Sequence, residues 1–546
     1  MSEAPASPAA SRGRAWIAAS GRRGRILAAL VAAGLVVAAL ILVLSGSGSG
    51  SGSGAAVVVP RDALAYVDVS LDNGRPAVAG SLALGRRFPD FPLAGAAVQG
   101  RLGAILSAGH SVDFGHEILP WVGNEAALAL LNTNTSTAGS LIILDVTDRA
   151  RARAFIHAQG ATPQGVVHRT QLYAYASGSE LAFVSHYLVV GQDASVRSAI
   201  DVAAGASPSL AASAVYQRAT AGEPAGRVAR AYASLAGVRR LLSPQGGVVG
   251  ALGGLLYQPA LQGVALSVSP TAGGARVLIS SALDPALVKL NGAGTGPFVP
   301  TLQNVVPDGS ILMFDVRGLS RVAPGLLNAG TTAGVAGGIG PLLSRLGVAL
   351  AAEGVNVHQL ADIFAGETAV AIVPRASSPT LVIVARTAHP TQVRSQLAQL
   401  EIPLAQLFKT SGAGPGRVAQ FKQSQVAGVT DHQVALANGL ELNYAVFNGL
   451  VVLSTSSQGV AAVAQRTRTL AQDPGFRFAL GKRPAGVTSL LYLDLREVLA
   501  LGQQTGLISA ATLGRLRPDL EAISSVGVTA RRADGRSTSR LTLRIP

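Results

Sequence analysis

VPRDALAYVDVS, Val59–Ser70, and VPDGSILMFDVR, Val306–Arg317, are nearly one word written twice in a single chain. Each sets a Val-Pro lead-in before a short alternating run, LAYVDV in the first and ILMFDV in the second. Proline suits the turn before a strand or its first residue, and alternation of period two marks a strand. The two stretches are therefore read as the opening strands of two copies of one fold. Alternation puts Tyr66, Asp68 and Ser70 on one face and Ala65, Val67 and Val69 on the other. An unpartnered buried carboxylate is costly, so Asp68, Asp315 and Asp494 are expected at a solvent face or rim.

Further words recur in the same order. GNEAALAL (Gly123–Leu130) matches AGETAVAI (Ala365–Ile372), and LIILDVTD (Leu141–Asp148) matches LVIVARTA (Leu381–Ala388). AFVSHYLVVGQD (Ala182–Asp193) matches YAVFNGLVVLST (Tyr444–Thr455), and ARAYASL (Ala229–Leu235) matches SLLYLDL (Ser489–Leu495). Near the close of each copy, VALSV from Val264 answers VGVTA from Val526. Hairpins are predicted with turns at Ser185-His186 and at Asn448-Gly449, the latter a strong type I′ signal. Strands are expected at 63–69, 125–131, 140–146, 171–176, 181–191, 228–234, 262–268 and 275–281. Their partners are 310–316, 367–373, 380–386, 433–438, 442–453, 488–494, 524–530 and 539–545. Helices are expected at 75–84, 148–158, 193–203, 208–218, 319–329, 340–350, 390–400, 457–471 and 496–504. Gly-rich stretches at 246–254 and 330–340 read as loops. The fold class is α+β: two similar mixed, largely antiparallel sheet-and-helix lobes from an internal duplication.

The amino end reads as an anchor. Five arginines within residues 1–25 face a single acid, Glu3, and ILAALVAAGLVVAALILVL (Ile26–Leu44) carries no charge. A helix of that length spans about 28 Å, close to a bilayer's hydrocarbon core. Basic residues before the span and none soon after place the amino end in the cytoplasm and the bulk outside. The run is longer than a secretory h-region, and no A-x-A site closes it crisply; cleavage near GSGAAV is the alternative. SGSGSGSGSG (Ser45–Gly54) is a flexible tether with a reach of about 15–20 Å. The expected organisation is a cytoplasmic tail at 1–25, a transmembrane helix at 26–44, a linker at 45–54, and extracytoplasmic repeats at 55–298 and 299–546. The expected location is the cell membrane, single-pass.

Composition narrows the class further. The 546 residues are 49% hydrophobic and only 13% charged, with a net charge of +15. Only Lys289, Lys409, Lys422 and Lys482 are lysines. So strong a preference for arginine, beside abundant Ala and Gly, suits a base-composition bias in the coding DNA and weakens the charge as a functional signal. Aromatics are 4%, and no zinc-finger spacing or stacking platform occurs, so nucleic acid is not an expected partner. Cysteine is absent, which excludes disulfides, thiol nucleophiles and thiolate metal ligands.

The anchor, then VPRDALAYVDVSLD (Val59–Asp72), EILPWVGNEAALAL (Glu117–Leu130) and LVVGQD (188–193) together resemble the bacterial domain-of-unknown-function family 3352. The resemblance covers most of 55–546. It implies a membrane-anchored extracytoplasmic protein and supplies no catalytic residues. The second copy's LADIFAGETAVAI (Leu360–Ile372) lacks the Pro and Trp of the first, so any role of Pro120 or Trp121 belongs to one copy.

Candidate chemistry is sparse. HSVDFGHE holds His110, Asp113, His116 and Glu117, residue types that ligate zinc or manganese, at a spacing that matches no zincin word. His358 precedes Glu367 as His116 precedes Glu125, a recurrence that suits a structural job. Glu125 and Glu367 are candidate binding carboxylates ahead of alternating strands; the plainer reading has them accept backbone hydrogen bonds or pair with arginine. Trp121 is a candidate surface anchor or a core plug. No G-x-S-x-G elbow, P-loop lysine or dinucleotide fingerprint is present. No cofactor is expected. The sequence supports a membrane-tethered binding or scaffold protein whose ligand lies in a cleft between lobes, with the bilayer as partner through 26–44 and an envelope protein, lipid or wall polymer as further candidates. An envelope hydrolase or transferase using carboxylates or a metal is the alternative.

Overall fold

The computed structural model describes residues 54–107, 112–132, 139–242, 260–290, 296–319, 363–375, 379–407, 420–435, 441–481, 485–504, 517–533 and 535–546. The anchor at 26–44, the expected helices at 319–329 and 340–350 and the Gly-rich stretches at 246–254 and 330–340 lie outside them, apart from Leu319. Among the described residues no helix is long and apolar enough to cross a membrane.

In chain order the strands are β1 (Ala65–Ser70), β2 (Val122–Leu131), β3 (Gly139–Val146), β4 (Thr162–Val167), β5 (Thr170–Ala174), β6 (Glu180–Val184), β7 (Tyr187–Gly191), β8 (Ala229–Ser234), β9 (Leu261–Thr271) and β10 (Gly274–Leu283). They continue as β11 (Leu312–Arg317), β12 (Glu367–Val373), β13 (Thr380–Arg386), β14 (Lys422–Val426), β15 (Val429–Ala435), β16 (Glu441–Phe447), β17 (Leu450–Ser454), β18 (Ser489–Asp494), β19 (Ser525–Ala533) and β20 (Arg536–Arg544). All twenty belong to one antiparallel sheet. In space the first ten run β4-β5-β6-β7-β3-β2-β1-β8-β9-β10. The others run β14-β15-β16-β17-β13-β12-β11-β18-β19-β20. β10 pairs with β20 over nine residue pairs, Gly274–Ala282 against Arg536–Arg544. The separate sheets expected of two lobes are thus one sheet, and its seam is a ladder of strand hydrogen bonds.

Both faces of this sheet carry helices. On one face of the first half, Pro76–Gly85 and Arg149–Ala158 close a core around Val69, Trp121, Phe155 and Leu188. On the other, Asp193–Ala203 and Ala214–Thr220 close a second core around Tyr66, Ala129, Ile200 and Tyr216. In the second half, Ser457–Gln465 and Pro474–Leu480 cover Met313 and Leu490, and Pro390–Leu407 covers Val451. Covering both faces buries strand residues whatever their parity, which overturns the simple inside–outside reading of β1.

Several elements escaped the sequence reading, among them β4, β14, the helices Phe91–Leu106, Pro285–Leu290, Pro474–Leu480 and Arg517–Glu521, and the π turn Phe114–Ile118. β4 and β14 are outermost strands, largely exposed, and their polar runs TPQGVV and KQSQV lack an apolar stripe. Pro163, a register irregularity beside it and Lys422 suit edges that must not recruit a further strand. The helix Phe91–Leu106 contains Gly95, Gly100 and Gly103, each unfavourable to helix by propensity, and Pro474–Leu480 is short. The helix expected at 208–218 is a 3-10 turn, Leu210–Ala212, followed by Ala214–Thr220. That at 457–471 ends at Gln465, where Arg466 turns left-handed with φ +49°.

The predicted hairpin turns hold. Asn448 (φ +50°) and Gly449 (φ +71°) form the two-residue loop between β16 and β17, and Ser185 (φ +52°) opens the one between β6 and β7. The β4–β5 loop asks the same left-handed geometry of His168 (φ +45°) and Arg169 (φ +65°), neither of them suited to it. Arg169→Gly will therefore raise the unfolding free energy by about 1 kcal/mol. The measurement is the urea midpoint; an unchanged or lower midpoint rejects the strain argument.

Candidate functional site

Each half begins with a 3-10 turn whose first N–H groups point at a strand carboxylate. Glu125, at β2, accepts one bifurcated hydrogen bond from the Ala55 N–H, 3.0 and 2.9 Å to its two oxygens, and one from the Tyr187 hydroxyl at 3.1 Å. Glu367, at the start of β12, accepts from the Leu302 N–H at 2.9 Å, the Thr301 hydroxyl at 2.5 Å, the Thr301 N–H, and Arg386 Nε at 3.2 Å. Both carboxylates therefore hold the chain's lead-in segment onto the sheet.

Strand register assembles the neighbouring polar groups. One row of side chains crosses the sheet as Ala127, Asp68, Arg230, Ser267, Leu278, Arg540, Thr529, Leu490, Asp315 and Ala369. Asp68 and Asp315 occupy matching places in it, and both are buried, contrary to the expected rim position. In the first half Arg230 stands beside Asp68. It lies 3.5 Å from that carboxylate, donates to Glu223 at 2.8 Å and to the Tyr216 hydroxyl at 2.5 Å. In the second half Leu490 takes the arginine's place, and the arginine of that half, Arg386, contacts Glu367 instead. Asp494 is half-buried and caps a helix by accepting from the Glu497 N–H at 3.2 Å.

Burial sets the proton affinities first, and the neighbouring charges adjust them. Burial first, then the charge of Asp68, pushes the Glu125 carboxyl up to about 7, against the pull of the Ala55 N–H and the Tyr187 hydroxyl. Burial also raises Asp68, opposed by Arg230. Asp315 is 0% exposed, and burial followed by the adjacent Glu367 pushes it up to about 9, so it is neutral at physiological pH.

The other candidates fall out as follows. Trp121 is 1% exposed, packs on Phe155 with ring centroids 5.6 Å apart, and donates from Nε1 to the Glu117 carbonyl at 2.7 Å. It plugs the core and presents no surface. Asp113 caps the π turn Phe114–Ile118, accepting from the N–H groups of Gly115 and His116, and its other oxygen lies 2.7 Å from His116 Nδ1. Glu117 returns to accept from the Asp113 N–H at 2.9 Å, a reciprocal cap. His110 and His358 lie outside the described residues. Among the described residues no group of three or more His, Asp or Glu side chains is placed to hold a metal ion.

A trio absent from the sequence reading sits in the second half. Glu401 Oε1 lies 2.7 Å from His432 Nδ1 and accepts from the Tyr444 hydroxyl at 2.5 Å, with the His432 and Tyr444 rings stacked 4.5 Å apart. The carboxylate lies on a helix and the rings on two strands, so only tertiary structure joins them. Arg230 and Arg386 were missed for the same reason: their partners are set by register.

A chain with this sheet and these lead-in clamps belongs to the DUF3352 family, proteins of unknown function, whose model matches residues 26–545. No curated protein matches it significantly. Among solved structures, crystal form III of TP0453 is 11% identical with a TM-score of 0.27, over 46% of this chain and 90% of that one. Crystal form IV of TP0453 is 14% identical with a TM-score of 0.26, over 44% and 85%. Likenesses this slight carry nothing over to this chain.

Two outcomes follow from the geometry. Trp121→Ala will cost about 3–5 kcal/mol of stability, because it empties a packed core site; a loss below about 1 kcal/mol, read by denaturant unfolding, rejects the plug role. For Asp315, the unfolded chain gives up the proton near 3.8 and the folded chain keeps it to about 9. Folding takes up a proton in that window, so stability falls as pH rises through it, by up to about 1.4 kcal/mol per unit. Asp315→Asn will flatten this slope. A difference between wild type and variant that stays constant from pH 4 to 9 refutes a neutral Asp315.

Proposed function

We propose that the chain is a membrane-tethered extracytoplasmic binding or scaffold protein of the bacterial envelope. Ile26–Leu44 spans the bilayer, residues 1–25 stay in the cytoplasm, 45–54 form the tether, and 55–298 and 299–546 are two copies of one unit. The observation that carries this reading is the arginine-flanked, uncharged 19-residue run before an alternating Ser-Gly linker. The duplication is supported by the matching strand order of the two halves, each opening on a turn clamped by a glutamate. The binding reading is favoured because the carboxylates singled out for chemistry hold backbone and hydroxyl groups of the protein itself.

A second reading, an envelope hydrolase or transferase using carboxylates, has one observation in its favour. Asp315 holds a proton beside a second carboxylate, Glu367, and a carboxyl kept protonated at neutral pH is what a general acid needs. Its complete burial opposes this, since a substrate must reach the acid.

The test treats intact cells expressing the full chain with a non-permeant protease. We expect cleavage within the linker and release of the bulk of the chain, with the first residues protected. A bulk that is cut only after the membrane is opened overturns the orientation. Native mass spectrometry of the full chain in mild detergent, with metal analysis of the same sample, then separates the readings. A co-purifying lipid, glycan or peptide supports binding, and stoichiometric metal supports the enzyme.

A further inference from the structure

The last strand reads RSTSRLTLR, and its alternation places Arg536, Thr538, Arg540, Thr542 and Arg544 on one face of β20. This is the seam strand, and the stripe is about 27 Å long. Register brings two more arginines to its centre. Arg276 of β10 lies opposite Thr542, diagonal to Arg540, and Arg531 of β19 lies opposite Thr538, diagonal to Arg540 on the other side. Diagonal positions on a sheet face lie within reach of long side chains.

These cations are poorly compensated. Neither Arg276 nor Arg540 has a hydrogen bond or ion pair among the described residues, and the Arg276 Nε is buried without a partner. Arg531 spends one nitrogen on the Ala485 carbonyl. Arg540 and Arg531 are exposed and Arg276 is half-buried; partial desolvation and then the neighbouring Arg276 and Arg531 lower the proton affinity of Arg540. The acids on this face of the first half, Asp68 and Glu223, are already engaged by Arg230 and Arg227. On the neighbouring strand β9 stand hydroxyls that have no hydrogen-bond partner among the described residues. Ser269 stands opposite Arg276, and Ser267 lies in the same row as Arg540 with Leu278 between them. Their exposures are 6% and 1%, and each Oγ lacks a partner. Buried polar groups are normally satisfied, so unmade bonds gathered beside crowded guanidinium groups call for a ligand.

We infer that the seam is a binding site for a phosphate group, held by Arg276, Arg540 and Arg531, with the Ser269 hydroxyl opposite Arg276 as a further donor once the arginine side chains turn to the ligand. Guanidinium forks match phosphate oxygens in pairs, and a dianion relieves the mutual repulsion of three arginines. The phosphate arrives either free or on a lipid headgroup; the chemistry of recognition is the same. This deepens the binding reading by naming the ligand class, and rests on it only for where the ligand is met.

The experiment titrates inorganic phosphate into the purified full chain in non-ionic detergent by calorimetry at about 0.15 M salt, where diffuse surface charge is largely screened. The expected result is one saturable site. Arg276→Gln with Arg540→Gln will weaken it by about tenfold or more, and Ser269→Ala by about threefold. Arg61→Gln with Arg86→Gln, which removes the same charge from exposed positions, will leave it within about twofold. Should the arginine pair variant fail to fold, the serine variant alone decides. Micelles carrying phosphatidylglycerol, compared with phosphatidylcholine, assign the source. Competition by the anionic lipid only in wild type marks a headgroup site, and its absence a free phosphate. No saturable binding, or equal losses in the serine and control variants relative to wild type, overturns the proposal. Because the titration is indifferent to topology, its failure is distinct from failure of the tethering reading, which the protease experiment alone decides.

Discussion

The hydrogen-bonded ladder between β10 and β20 is the constraint from which the rest of the arrangement follows. Side chains alternate along a strand and match across a ladder, so one pairing fixes the facing of every residue in both halves. A slip of one residue at the seam would send the Arg536–Arg544 stripe to the opposite face, onto the apolar cluster of Leu495, Leu499, Leu520 and Ile523. That cluster, packed on Ala275 and Leu543, therefore protects the register as well as stabilising the join. The row from Asp68 to Asp315, polar except at Leu278 and Leu490, runs unbroken across the sheet because of it.

Around that row, burial raises the acids and the position of arginine decides which of them has a cation beside it. Both halves hold an Asp and a Glu near the lead-in turn, and each half supplies them with one arginine from a neighbouring strand. In the first half it serves Asp68, and Glu125 is raised; in the second it serves Glu367, and Asp315 is raised. Neither arrangement leaves two bare carboxylates in the interior, which burial forbids. The same packing problem thus has two solutions: in the second half Asp315 is kept neutral, and in the first both Asp68 and Glu125 are raised, Glu125 to about 7.

Much of the fold was legible in the sequence, because strands with an apolar stripe and hairpins with left-handed turn residues announce themselves locally. LIILDV, LVVG and the Asn448-Gly449 turn are of this kind. What stayed hidden had no local signature. β4 and β14 need no apolar face because they are edges, and the glycines of Phe91–Leu106 argue against the helix that tertiary packing imposes. The burial of Asp68 and Asp315 was misread because alternation tells which residues share a face and not whether helices cover that face. Asp113, His116 and Glu117 were legible as a cluster, but their composition suits a reciprocal turn cap as well as a metal, and only geometry distinguishes the two. The Arg-x-Thr-x-Arg-x-Thr-x-Arg alternation of β20 was in plain view; its meaning depends on β10 and β19, which arrive from elsewhere in the chain.

The difference between the halves also explains why an arginine with no ion pair among the described residues stands at the seam. In the shared row, Arg230 and Leu490 occupy matching places, as do Leu278 and Arg540. The first half has its arginine next to the aspartate and leucine at the seam; the second half has leucine next to the aspartate and arginine at the seam. An arginine beside Asp315 would be neutralised internally, as Arg230 is by Asp68 and Glu223. At the seam it meets Arg276 and Arg531 and no acid of its own row within two strands. Like charges brought together repel, and among the described residues none supplies their counter-charge, so an anion from outside the chain lowers the free energy of this arrangement. The cost is tolerable at the seam because the ladder and the apolar cluster beneath it hold the strands together independently of the charges above.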